Sequence, residues 1–214
     1  MIAAASTGPC PARAGTRRTA ARPGRRARPR RALPLICRIA AALAACGGMS
    51  AEIEHGEPLA LAVRLREQKS SQAHERLLAL AARYPEDAAI AYQTAWSHDS
   101  LGLEAQAVPF YERALEGPGL LAEDRHGAFL GLGSTLRVLG RYEAARGVLR
   151  RGLEEFAHDA SLLTFLAMTL HNLGDSREAV RTLLKVTAAT SADDRVQSYR
   201  PAIEYYADRL DETE

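Results

Sequence analysis

Residues 94–115 read TAWSHDSLGLEAQAVPFYERAL, residues 132–153 read LGSTLRVLGRYEAARGVLRRGL, and residues 166–187 read LAMTLHNLGDSREAVRTLLKVT. The three segments align on Gly102, Gly140 and Gly174, which are spaced by 38 and 34 residues. One residue before each glycine stands a leucine (Leu101, Leu139, Leu173), and seven before it a small residue (Ala95, Gly133, Ala167). Five residues after it comes Ala107, Ala145 or Ala179, and nine after it Tyr111, Leu149 or Leu183. A period near 34 with a fixed large/small code marks a two-helix unit that cannot bury its apolar face alone and stacks on its neighbours. The glycine supplies the positive φ that closes a tight turn. The small positions mark where two helix backbones approach closely. Leu132, Leu136, Leu166 and Leu170 recur at i, i+4 spacing and fill the space between helices.

The pattern extends in both directions. Leu61, Ala62 and Leu65 read as the first helix of an earlier unit, and Ala73, Leu77, Leu80 and Pro85 as its second. Lys69 stands where the other units have glycine, and the turn reads one residue shorter. Downstream, Ser191 or Asp193 can cap a last helix with Val196, Tyr199, Ile203, Tyr206 and Leu210 on its apolar side, and Pro201 kinks it or starts a new one. Pro109 is tolerable if its helix begins only about a turn earlier. The expected units are residues 58–87, 88–125, 126–159 and 160–190, with a capping helix over 191–214 and a short linker at 49–57. The 38-residue step from Gly102 to Gly140 follows from the exit GPGLLAEDRHG at 117–127.

Composition divides the chain near residue 49. Residues 1–48 hold ten arginines and no Asp, Glu or Lys, whereas the rest holds 18 basic and all 26 acidic residues, a net of −8. Cys10, Cys37 and Cys46 all lie in this arm, so no disulfide can staple the repeats. The Arg/Ala/Pro/Gly-rich arm lacks the apolar periodicity needed to order itself. Three readings stay open, in order of preference. The arm precedes a true start at Met49; or it is an export signal in which LAACGG (43–48) resembles a lipobox with Cys46 lipidated; or it is a tail that binds nucleic acid through charge alone. Arg38 interrupts the apolar stretch, which counts against the second, and the absence of aromatics counts against the third. No run approaches the length of a membrane-spanning helix.

From about Leu59 to Glu214 the chain resembles the short single-domain tetratricopeptide-repeat proteins of bacteria. The likeness is carried by AYQTAWSHDSLGLEAQAVPFYERAL, LGLGSTLRVLGRYEAARGVL, FLAMTLHNLGDSREAV and the ending EYYADRLDE. The resemblance implies an all-α, right-handed α-solenoid of three to four helix-turn-helix units plus a capping helix. It implies a non-enzymatic scaffold or adaptor that holds a peptide or helix of an unnamed protein partner in a concave groove, without a cofactor; a start at Met49 would make that scaffold cytoplasmic. The alternatives are an envelope-anchored lipoprotein and an Arg-tailed nucleic-acid-associated protein. In such repeats the first helix of each unit lines the groove, which makes Tyr92, Trp96, Asp99, Leu130, Ser134, Arg137, Thr164, Met168, His171 and Asn172 the expected partner-binding residues. Trp96, the only tryptophan, and Arg137 lead, because those residue types are enriched at binding hot spots. A Lys/Asn/Arg clamp for a partner's terminal carboxylate finds no Lys or Asn at the matching places of the first unit. The outer apolar surface of a short solenoid can also pair with a second copy.

Catalytic chemistry has no foothold in the sequence. The six histidines (55, 74, 98, 126, 158, 171) form no metal-ligand spacing. Ser134 lies within a helix rather than on a strand-to-helix elbow. REAVR and RRGLEE are charged helix faces, not acid/base dyads. His98 reads as a core histidine with a satisfied hydrogen bond, and His171 as a groove residue with a polar or weakly pH-sensitive contact.

Overall fold

A computed structural model of the chain describes residues 57–213, which form ten helices and no strand. The Arg-rich arm, the Met49 start and the lipidation reading of Cys46 lie outside the described residues. The helices pair as α1 (Glu57–Glu67) with α2 (Ser71–Arg83), α3 (Ala88–Ser100) with α4 (Glu104–Glu116), α5 (Ala122–Val138) with α6 (Tyr142–Glu155), and α7 (Ala160–Asn172) with α8 (Ser176–Thr190). Two short helices follow, α9 (Asp194–Ser198) and α10 (Arg200–Ala207). The third unit begins four residues ahead of the expected 126. Glu123 and Asp124 suit the first turn of a helix, and Arg125 anchors that turn to Glu155 and to the Leu115 carbonyl at 2.9 Å.

Local signals explain the boundaries. Asp87, Asp159 and Asp175 cap α3, α7 and α8 by accepting from the amides of Ile90, Leu162 and Glu178, and Ser70 caps α2 through the amide of Ala73. Units two to four end their first helix in the same way. The amides of Leu103, Arg141 and Asp175 donate back to the carbonyls of His98, Leu136 and Leu170 at 2.9–3.0 Å. Between each donor and its helix sits a glycine in the left-handed region: Gly102 (φ 73°), Gly140 (φ 74°) and Gly174 (φ 87°). Lys69 takes the same conformation (φ 47°) with a side chain attached, and the buried Ala73 follows it by four residues rather than five.

Packing follows the two-helix code. Each first helix packs on its own second helix and on the next first helix, α1 on α3, α3 on α5 and α5 on α7; each second helix packs on the following first helix. The first helices therefore make one layer and the second helices the other. The core of units two to four is continuous and centres on Phe129, Leu149 and Leu162, all 0% exposed. The first hairpin has its own small cluster, built from Ala62, Leu65, Ala73, Leu77 and Ala81 with Ile90 of α3.

Pro109 differs from expectation, whereas Pro201 starts a new helix, one of the two outcomes expected of it. Pro109 lies in the second turn of α4, not in its first. The amide it lacks would have bonded Ala105, which is exposed, so water can serve that carbonyl. The capping run is two helices rather than one, broken at Tyr199, with Pro201 in the first turn of α10. α10 packs on α8 and is pinned by Asp208, which pairs with Arg181 (2.6 Å) and Lys185 (2.7 Å). Tyr199 and Tyr206, expected on the apolar side, are exposed; Ala207 is the buried residue of α10.

Candidate functional site

The expected groove residues sit on α3, α5 and α7, three first helices packed in series. The structure sorts them into two sets. Trp96, Leu130, Thr164 and Met168 are half-buried, and His171 and Asn172 are exposed. Arg137 of α5 donates from Nη1 to the Asn172 Oδ1 of α7 at 3.2 Å, so a polar link joins the third and fourth units on this face. Val138, 50% exposed, lies beside it. His171 meets the Ser176 hydroxyl at 3.2 Å.

Tyr92, Asp99 and Ser134 depart from expectation, because their side chains are buried and engaged inside the solenoid. The reason lies in α5. Gly127 and Gly131, one turn apart, leave slots into which Tyr92 and Tyr111 sink: a Cβ on Gly131 would lie 2.5 Å from the Tyr111 ring, and one on Gly127 would meet the Tyr92 hydroxyl. The sunk Tyr111 donates to Asp99 at 2.8 Å, and Thr135 of α5 donates to the same carboxylate at 2.9 Å. Asp99 thus ties α3, α4 and α5 together. Burial pushes its carboxyl up to about 6, against the pull of the Tyr111 and Thr135 hydroxyls. Burial likewise pushes the Tyr92 phenol up, and Asp124 adds to the shift. Ser134 spends its hydroxyl on the Gly131 carbonyl at 2.9 Å.

One residue of this face escaped the sequence reading. The Arg66 guanidinium of α1 lies 3.8 Å over the Trp96 ring, a cation–π contact between the first and second units. The signal was in register: Arg66 precedes Lys69 by three residues, as Arg137 precedes Gly140 and His171 precedes Gly174. The missing glycine hid that phase.

His98 is buried, as expected, but not satisfied. Its ring packs edge-on to that of His74 from α2, with centroids 4.4 Å apart, and against Phe110 of α4 at 5.1 Å. Neither ring nitrogen of His98 has a hydrogen-bond partner among the described residues. His74 Nδ1 meets the Ser97 hydroxyl at 2.8 Å, and its Nε2 is also unpartnered there. No group of three or more His, Cys, Asp or Glu residues among the described residues could hold a metal ion. None of the described helices is long and apolar enough to cross a membrane.

Stacked helical hairpins, with one layer of first helices carrying the half-open side chains, define an α-solenoid of the class that presents a face to other proteins. A family model for the tetratrico peptide repeat matches residues 88–210, and the chain belongs to that family. Membership makes it, in general terms, a protein-interaction scaffold. The match opens at Ala88, the first residue of α3, and the hairpin α1–α2 lies ahead of it. No curated protein matches the chain.

Proposed function

We propose that the chain is a non-enzymatic adaptor that holds an extended peptide or short helix of a partner protein along the face lined by α3, α5 and α7. The observation that carries this reading is Trp96, the only tryptophan, half-open on a first helix and held by stacking rather than sealed in the core. Met168 stands at the corresponding place of the fourth unit, Leu130 and Thr164 stand one turn earlier on the first helices of the third and fourth units, and all three are half-exposed; Arg137, His171 and Asn172 offer hydrogen-bonding groups beside them. An apolar strip with a few fixed polar groups suits peptide recognition. Tyr92, Asp99 and Ser134 shape the wall from behind and do not touch the partner. The tetratricopeptide-repeat family is typically non-catalytic, which agrees with this reading.

Alanine replacement of both Trp96 and Arg137 tests it. Two hot spots worth about 2 kcal/mol each predict a loss of affinity on the order of a thousandfold for the partner captured by the wild type. Far-UV circular dichroism should be unchanged, since neither side chain belongs to the buried core. Unchanged affinity in the folded double variant would refute the site. A cytoplasmic location goes with this reading; lipid on Cys46, read by mass spectrometry of the native protein, would instead favour the envelope-anchored alternative.

A further inference from the structure

We propose that His74 and His98 form an acid-operated latch that holds the first hairpin, α1–α2, onto the rest of the solenoid, and that mild acid undocks this hairpin and uncovers Trp96. The latch rests on packing alone; its consequence for partner binding rests on the function proposed above.

Three observations converge on this seam. The apolar core divides here, with one cluster inside the first hairpin and Ile90, another running through units two to four, and only Phe110 packed against both. The two imidazoles sit between α2 and α3, 6% and 4% exposed, in ring contact at 4.4 Å. Three of their four ring nitrogens have no hydrogen-bond partner among the described residues. The third observation comes from comparing the units. His98 precedes its turn glycine by four residues, and the matching places in the other units hold Leu65, Leu136 and Leu170, all buried. Three units fill this position with leucine, and the one that does not carries a titratable ring facing another. Contact this close between the rings leaves no room for a metal ion to bridge them.

Protonation is costly at such a site. It turns both nitrogens of a ring into donors, and a buried donor without an acceptor loses its water and gains nothing. A second charge in contact with the first adds repulsion. The groups that surround the pair do little to offset this. Glu75 of α2 raises His74 but is itself exposed. From α1, Arg66 and Glu67 pair with each other at 3.3 Å, and Arg64 is exposed. From α4, the Arg113 guanidinium lies 4.9 Å from the Phe110 ring that packs on His98, and adds positive charge nearby. On α3 itself, the Asp99 carboxylate accepts from Tyr111 and Thr135 of the neighbouring helices.

The sign follows from the two states. Burial, then His74, holds His98 down to about 4 from its ordinary 6.5, and burial lowers His74 as well. Between those values the undocked hairpin binds a proton that the docked one does not, so acid favours undocking. At pH 5 the opening constant contributed by His98 alone rises about thirtyfold over that at pH 7.5. Undocking removes Arg66 from the Trp96 ring and opens the end of the groove.

Hydrogen exchange of the full chain, corrected for the intrinsic pH dependence of amide exchange, reads the opening constant of each helix. The expected result is a rise of about thirtyfold for α1 and α2 between pH 7.5 and pH 5, with α5 to α8 changed far less, and a matching rise in acrylamide quenching of Trp96. H98L, which installs the residue of the sister units, should fold, raise protection of α1–α2 and abolish most of the pH response. K69G, which relieves the turn of the same hairpin without touching the imidazoles, should keep the full response from a lower opening constant. Equal protection of α1–α2 at both pH values in the wild type overturns the latch, as does an H98L response equal to the wild type's. Loss of the response in K69G also overturns it, since stability rather than protonation would then be what the exchange reports. These readouts need no partner: a latch that fails leaves the W96A/R137A result untouched, and a groove that fails leaves the exchange data standing.

Discussion

Asp99 offers the sharpest energetic test of the packing described above. Its carboxyl is pushed from 3.8 up to about 6 by burial between α3, α4 and α5. That rise corresponds to about 3 kcal/mol of stability forgone at neutral pH, where the buried group is charged. Above pH 6 the cost is full. As pH falls from 6 toward 3.8 the folded chain takes up the proton before the unfolded chain does, and stability returns. The Asp99 cost is therefore about 3 kcal/mol at pH 7.5 and about 1.6 kcal/mol at pH 5, a difference of about 1.4 kcal/mol. Asp99→Asn keeps the shape and an acceptor for Tyr111 and Thr135 but cannot ionise. Urea unfolding of Asp99→Asn against its parent at both pH values isolates that difference, best in the H98L background, where the neighbouring imidazole is gone. The variant should gain on its parent by about 1.4 kcal/mol more at pH 7.5 than at pH 5. An equal effect at the two pH values would show that the carboxyl is not held up by burial, and that the Tyr111–Asp99–Thr135 link is not the buried tie described here.

Three further substitutions probe the turns and slots. Gly131→Ala should destabilise by about 1–3 kcal/mol in urea unfolding, because the Tyr111 ring it meets is pinned by Asp99 and cannot retreat. Gly147→Ala, on the same pair of helices but facing open space, should instead stabilise by about 0.5–1 kcal/mol. Lys69→Gly should raise stability by about 0.5–1 kcal/mol, since relief of a left-handed lysine outweighs the added freedom of the unfolded chain. A loss on that substitution would mean that the Lys69 side chain makes a stabilising contact.

The fold was legible because the code is redundant. Gly102, Gly140 and Gly174 stand in phase with Ala95, Gly133 and Ala167 and with Ala107, Ala145 and Ala179, and no single position has to carry the inference. The face of the first helices was legible for the same reason. What a helical period alone does not give is depth. Tyr92 and Trp96 are one turn apart on one helix, yet Tyr92 is 7% exposed and Trp96 half-open. The difference is set across the interface, by Gly127 and Gly131 of α5, whose spacing is visible in the sequence but whose partners lie 35 and 20 residues away. Asp99 was drawn inward by the same slots. Arg66 and the unpartnered state of His98 depend on how the first hairpin docks, and that unit departs from the code at Lys69. Its turn brings the small residue, Ala73, one place early and leaves His74 where the other units have Ala107, Ala145 and Ala179.

Photo-crosslinking in the native cell addresses the groove most directly. A photoreactive amino acid at Asn172, exposed on the first-helix layer, is compared with one at Arg150, exposed on α6 in the second-helix layer. Discrete protein adducts from Asn172, lost on adding W96A and R137A and absent from Arg150, are the predicted result. Adducts from Arg150 with none from Asn172 would place the partner on the opposite layer and contradict the proposed groove.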